Sequence, residues 1–188
     1  MKKAIQLLGM FSIVLFVSCS GSDGVNGANG LDGLDGEDGI NAQVFEVDNV
    51  NLIYNANNNI YDETLTFIDY TSFEVLPEDA ILVYRFDSNI TFNDGVVQDN
   101  WSLIPQSFFL DGGTIQYTNT HTSRDTQIFL DGNFNLSGIS TDFTDNQLFR
   151  IVILPGEFLS SKLDKSNMAA VLNAINVDEE SITRISMK

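Results

Sequence analysis

Few side chains in this 188-residue chain are reactive, and those few are scattered. It holds one cysteine, Cys19, and one histidine, His121. A lone cysteine excludes an intramolecular disulfide. Without a second histidine, and with its thiol far from His121, the chain offers neither a zinc site nor a Cys–His nucleophile. His121 sits in the polar run TNTHTSRD, and no GxSxG elbow exists to build a Ser-His-Asp site around it. It reads as a surface residue of a strand or turn. Carboxylates are plentiful: 26 Asp and Glu against 9 Lys and Arg. A facing pair would suit glycoside hydrolysis, but so many acids bring some pair into range by chance. Asp94 with Asp99, and Asp142 with Asp145 in the loop-like STDFTDN, are the candidates for a structural calcium. A solvated turn is the plainer reading of both. Trp101, Tyr84, Tyr117, Phe108 and Phe109 have the chemistry of a sugar platform, although aromatic residues of strands generally fill cores. No phosphate-cradling glycine loop or dinucleotide fingerprint is present.

The position of Cys19 gives that thiol a purpose. Lys2 and Lys3 start the chain with positive charge, and residues 7–17 (LLGMFSIVLFV) form an apolar run of 11 with a single serine. A bilayer span needs about 20 residues, so this run fits the core of a secretory signal instead. Ser18 and Cys19 follow. In LFVSC, Ser18 is the small residue before the cysteine and Phe16 stands where leucine is usual. The pattern resembles a bacterial lipobox. That resemblance implies a signal peptide of residues 1–18, cleavage between Ser18 and Cys19, and diacylglycerol on the Cys19 thiol. Two or more acyl chains hold a protein stably to a membrane, each buried CH₂ adding about 0.8 kcal/mol.

Residues 19–41 form the next block. From Gly24 the text is GVN GAN GLD GLD GED GIN, six Gly-X-Y triplets in which Y is always Asn or Asp. Collagen needs glycine at the crowded axis of three polyproline II chains. Here no triplet holds a proline, and no Lys or Arg offsets Asp32, Asp35, Glu37 and Asp38. The spacing matches neither an EF-hand nor the GGxGxD calcium repeat. A flexible acidic spacer is the favoured reading. As a Gly-rich coil, residues 20–41 would average about 26 Å end to end, and about 70 Å fully extended.

Residues 42–188 have the length of one ordinary domain, large enough to bury a core. The chain carries 14 Phe, and Ile, Leu and Val are frequent, so this part folds. The formal charge is −17, and loss of Lys2 and Lys3 leaves 7 basic against 26 acidic residues, or −19. Such a field excludes nucleic acid as a partner.

Short β-branched and aromatic runs separated by turn signals predict an all-β domain. The expected form is an antiparallel sandwich or partly open barrel of about seven to nine strands. Residues 42–54 alternate with a kink near Asp48-Asn49, NANNN (55–59) is a turn, and residues 60–70 alternate again. The two runs are expected to pair as a hairpin. AILVYRFD (80–87) and QLFRIVIL (147–154) are near-continuous apolar runs and read as buried strands. WSLIPQSFFL (101–110) reads as one strand in which Pro105 marks an edge or bulge. Residues 114–121 and 126–130 are further strands. Asp94-Gly95, Asp111-Gly112 and Asp131-Gly132 are expected type I′ turns. Met168, Val171, Leu172 and Ile175 recur at helical spacing and predict a short helix over 167–175. Ser166 is its expected cap and Asn176 its left-handed terminator. Pro155-Gly156 stops the preceding strand, and residues 181–187 are a last short strand.

Taken together, Cys19, the acidic triplets, and the segments NAQVFEVDNV, EDAILVYRF, WSLIPQSFF, IFLDGNF and DNQLFRIVILP resemble uncharacterised collagen-like surface lipoproteins of Bacteroidetes. The resemblance implies an anchored, surface-exposed protein at the outer membrane, and it carries no activity. Two classes of function remain. One is a non-catalytic interaction module held on a spacer, meeting a glycan or an envelope protein, with calcium-stabilised adhesion as a variant. The other is a carboxylate-based hydrolase acting on polysaccharide. The scarcity of general bases and nucleophiles favours the first.

Overall fold

The computed structural model describes residues 42–156, 158 and 162–187. Ten strands form there: β1 (Gln43–Val50), β2 (Ile53–Asn55), β3 (Ile60–Thr66), β4 (Ala80–Thr91), β5 (Val97–Leu103), β6 (Gln106–Leu110), β7 (Gly113–His121), β8 (Asp125–Gly132), β9 (Gln147–Leu154) and β10 (Thr183–Ser186). One α-helix, α1, spans Met168–Ala174. The strands make two five-stranded sheets, ordered β10-β1-β9-β4-β5 and β2-β3-β8-β7-β6. The protein is a β-sandwich, with ten strands where seven to nine were expected.

The main core lies between the sheets. Alternate residues of the inner strands point into it. Phe45 and Val47 of β1, Ile81 and Val83 of β4, and Phe149, Ile151 and Ile153 of β9 meet Leu65, Ile115, Tyr117, Ile128 and Leu130 of the other sheet. The opposite face of the first sheet is covered too. There Leu82, Tyr84, Val152 and Leu154 pack against Val171, Leu172 and Ile175 of the helical segment. Burial on both faces is why β4 and β9 read as continuous apolar runs.

The expected helix is present, with two adjustments. Asn167, not Ser166, is its cap: the Asn167 side chain accepts from the Ala170 amide at 3.0 Å. Asn176 takes the left-handed position at φ 54°, and the Val177 amide returns to the Leu172 carbonyl at 3.0 Å. Among the described residues every non-glycine with positive φ is an asparagine: Asn49, Asn59, Asn146 and Asn176. Asparagine tolerates this region better than branched or bulky residues do.

Several local expectations are overturned. Residues 42–54 do not form one arm of a hairpin with 60–70. Only β2 pairs with β3, while β1 pairs with β9 and β10 in the other sheet. The chain changes sheets at Asn49–Leu52, where Asn49 turns at φ 56°. Residues 101–110 are not one strand either. The Ile104-Pro105 peptide is cis, and β5 and β6 on its two sides belong to different sheets. Ile104 anchors this corner, buried, with its amide on the Val83 carbonyl at 3.0 Å. None of the three Asp-Gly pairs is a type I′ turn, which needs positive φ at both residues. Gly95 is positive and Asp94 is not; at the next pair the positive residue is Gly113. Asp131-Gly132 ends β8 inside the ladder, opposite Gln116 and Ile115.

Candidate functional site

The outer face of the first sheet carries charge where α1 leaves it uncovered. Arg150 projects from the centre of β9, only 2% exposed. A buried guanidinium must be paired, and its partners come from both ends of the chain. Its Nε and Nη2 donate to Glu46 Oε1 of β1 at 3.0 and 2.7 Å. Its Nη1 donates to Glu179 Oε1 at 2.8 Å. The other Glu46 oxygen accepts from Arg184 Nε of β10 at 2.6 Å. Glu46 is itself 3% exposed, so one buried carboxylate joins two arginines.

The guanidinium of Arg150 also lies over the Trp101 ring of β5, 4.2 Å from its centroid. Such stacking contributes about 0.5–2 kcal/mol, depending on desolvation. Phe86 meets Trp101 edge-on at 5.5 Å. Arg184 Nη2 stands 4.0 Å from Asp99 Oδ2, also of β5. Asp99 lies where the β4–β5 ribbon runs on past the pairing of β4 with β9, so its side chain and that of Arg184 on the opposite edge strand reach toward each other across the outer face.

Between them opens a cleft of about 920 Å³, walled by residues 97–101 of β5, the start of α1 and the segment carrying Glu179, Ile182 and Arg184. Arg150 and Glu46 form its floor. Near its wall, the Ser166 hydroxyl and amide beside Asp164 hold that carboxyl below the usual range. Below the helix, burial pushes the Tyr84 phenol up to about 12, and the phenol donates to the Lys165 carbonyl at 2.5 Å.

A second polar network closes one end of the sandwich. Arg85 Nε donates to Gln147 Oε1 at 3.0 Å and Nη1 to Asp87 Oδ1 at 2.9 Å. Its guanidinium sits 4.7 Å from the Tyr117 ring centroid. Asp87 also accepts from Ser102 and Gln106. Tyr117, with its phenol pushed up to about 12 by burial, donates to the Phe143 carbonyl at 2.5 Å. Most of these groups are paired within the network, the buried Gln106 Oε1 being the exception, and the network serves the fold.

The residues singled out by sequence fall in different places. Ser18 and Cys19 lie outside the described residues. Asp142 and Asp145 flank the same short turn, but each carboxylate takes a local hydroxyl, from Ser140 at 3.0 Å and Thr144 at 2.8 Å. Their backbone carbonyls both accept from Gln147 Nε2. Asp94 caps the turn after β4 by accepting from the Val96 amide, whereas Asp99 accepts from Asn89 across the ribbon. Among the described residues no group of three or more His, Cys, Asp or Glu is placed to hold a metal ion. His121 is exposed at the end of β7. Of the five aromatics, Tyr84 and Tyr117 are core and Phe108 packs on Tyr117 and Phe143. Phe109 is 86% exposed, and Trp101 alone reaches the cleft.

Sequence reasoning missed Glu46, Arg150, Arg184 and Glu179. A signal was there. Arg150 interrupts an apolar run, and Glu46 sits in VFEV; a charge in a strand buried on both faces demands a partner. No helix among the described residues is long and apolar enough to cross a membrane. No protein-family model, curated protein or solved structure matches the chain.

Proposed function

We propose that this protein is a lipid-anchored component of the cell envelope, held at the outer membrane or cell surface, whose β-sandwich is a non-catalytic interaction module. The observation that carries this reading is the order of the first 41 residues: a basic start, a short apolar run, Ser18-Cys19, then acidic glycine triplets leading into a folded domain. An anchor followed by a spacer suits presentation to a partner. The spacer's reach of about 26 to 70 Å holds the domain clear of a bilayer surface.

The chemistry of the cleft supports binding over turnover. The Glu46 and Glu179 carboxylates both engage Arg150, and Glu46 engages Arg184 as well. A carboxylate engaged by guanidinium groups is turned to the protein rather than to a substrate.

Metabolic labelling with a palmitate analogue tests the anchor. The parent chain is expected to label and Cys19→Ala to remain unlabelled. Protease shaving of intact cells tests outward display, with full protection placing the domain on the periplasmic side. Pull-downs with the mature chain, run beside a polysaccharide-cleavage assay, test the module. Cleavage abolished by neutralising one Asp or Glu would replace this reading with that of a hydrolase.

A further inference from the structure

We infer that the cleft between β5 and the C-terminal segment is a binding site for a neutral, polyhydroxylated ligand, a carbohydrate chain. This deepens the interaction-module reading and rests on it. Its size falls within the usual range for small-molecule sites, about 300–1,000 Å³. Ligand class follows from the groups around it. A hydroxyl donates and accepts at once, so a sugar is matched by a wall offering both. Asp99 and Glu179 supply exposed carboxylate acceptors. Arg184, half-exposed, spends its Nε on Glu46 and keeps its other guanidinium donors at the cleft. Asn167 uses only its side-chain oxygen, in capping α1, so its amide N–H groups stay available. An anion would call for donors alone, and a cation for acceptors alone.

Charge points the same way. Glu46, Asp99 and Glu179 face Arg150 and Arg184, a formal balance of −1, in a chain of net charge −17. That field repels anions, while the buried Glu46 carboxylate is already shared between Arg150 and Arg184. Trp101 lines the cleft with its ring stacked on the Arg150 guanidinium. The floor is rigid before any ligand arrives: Arg150 is fixed by two carboxylates and by the indole beneath it. Fixed geometry lowers the ordering cost of binding.

Trp101 is the chain's single tryptophan and lines the cleft, so indole emission is a probe of it. The experiment titrates the purified full chain with neutral hexasaccharides (malto-, cello-, xylo-, manno- and chito-series), with polygalacturonate and with oligolysine. At least one neutral hexasaccharide is expected to shift the emission saturably and to do so equally at low and high salt. Asp99→Ala and Arg184→Ala, each checked for an unchanged far-UV spectrum, should weaken that binding about tenfold or more by removing a charge-assisted hydrogen bond. A response only to polygalacturonate or oligolysine overturns the ligand class. Silence toward every probe, or binding undiminished in both variants, overturns the site. Retention of an envelope partner in pull-downs beside a silent cleft would leave the module reading standing while this inference falls.

Discussion

Replacing Arg150 with methionine tests how the outer face of the first sheet is held. Methionine keeps much of the length and removes the charge. Three hydrogen bonds go, two to Glu46 and one to Glu179, together with the stack on Trp101. The Glu179 contact contributes little, because that carboxylate is 59% exposed. The larger effect falls on Glu46, which stays buried with Arg184 as its only remaining partner. Breaking a buried pair by removing one partner costs about 3–5 kcal/mol. The surviving Arg184 bond reduces this and the lost stack adds to it, giving about 4 kcal/mol. For a domain of this size that lowers Tm by about 8–16 °C. Calorimetric melting of the Arg150→Met, Glu46→Gln and double variants measures it. The double variant leaves no unpaired charge buried, only the exposed Arg184 and Glu179, so its loss should fall short of the sum of the singles by about 1–3 kcal/mol. An Arg150→Met chain melting with the parent, or strict additivity in the double variant, would refute the buried-network argument.

Other perturbations probe other layers. Tyr84 and Tyr117 both have folded-state phenols pushed up to about 12 from an ordinary value near 10. Stability from these groups is therefore intact below about pH 10 and lost as pH rises toward 12. Urea midpoints should fall across that window, and less steeply in Tyr84→Phe and Tyr117→Phe. At Asn176, in the left-handed region at φ 54°, Asn176→Gly should leave the urea midpoint within a few tenths of a kcal/mol. Asn176→Val should cost about 1–2 kcal/mol. Gly132→Ala places a methyl carbon 2.8 Å from Leu136 Cδ2 and 3.1 Å from the Thr114 carbonyl, so a loss of about 1–3 kcal/mol is expected in urea unfolding.

What the sequence disclosed follows from how local each cause is. The runs at 80–87 and 147–154 were legible as buried strands because both faces of that sheet are covered. The helix was legible because Val171, Leu172 and Ile175 make one stripe, and its terminator because asparagine is suited to positive φ. Pairing partners were not legible. β1 finds its neighbours far along the chain, Glu46 facing Arg150 of β9 at a separation of 104 residues and Arg184 of β10 at 138, while the nearest alternating run belongs to the other sheet. The Asp-Gly pair at 131–132 looked like a turn, but the ladder with β7 continues through it. The cleft was hidden for the same reason as the pairing: Glu46, Arg150 and Arg184 become neighbours only when β1, β9 and β10 have paired in register, and Glu179 joins them from the segment before β10. Trp101 was noticed for its type, and nothing near it in the sequence separates it from Tyr84 or Tyr117, which are core.

The place of β1 has a mechanical consequence. It is the first strand after the glycine triplets, yet it lies inside its sheet, bonded to β9 on one side and to β10, running parallel to it, on the other. Any pull on the chain ahead of Ala42 is delivered to the leading end of this strand. Directed along the strand, the load runs across two ladders of hydrogen bonds at once, so they must shear together and cannot unzip one by one. The Glu46 carboxylate, on the same strand, adds a cross-link to each neighbour through Arg150 and Arg184. A load applied at the amino end of this domain would therefore meet two paired ladders before it reached any edge strand.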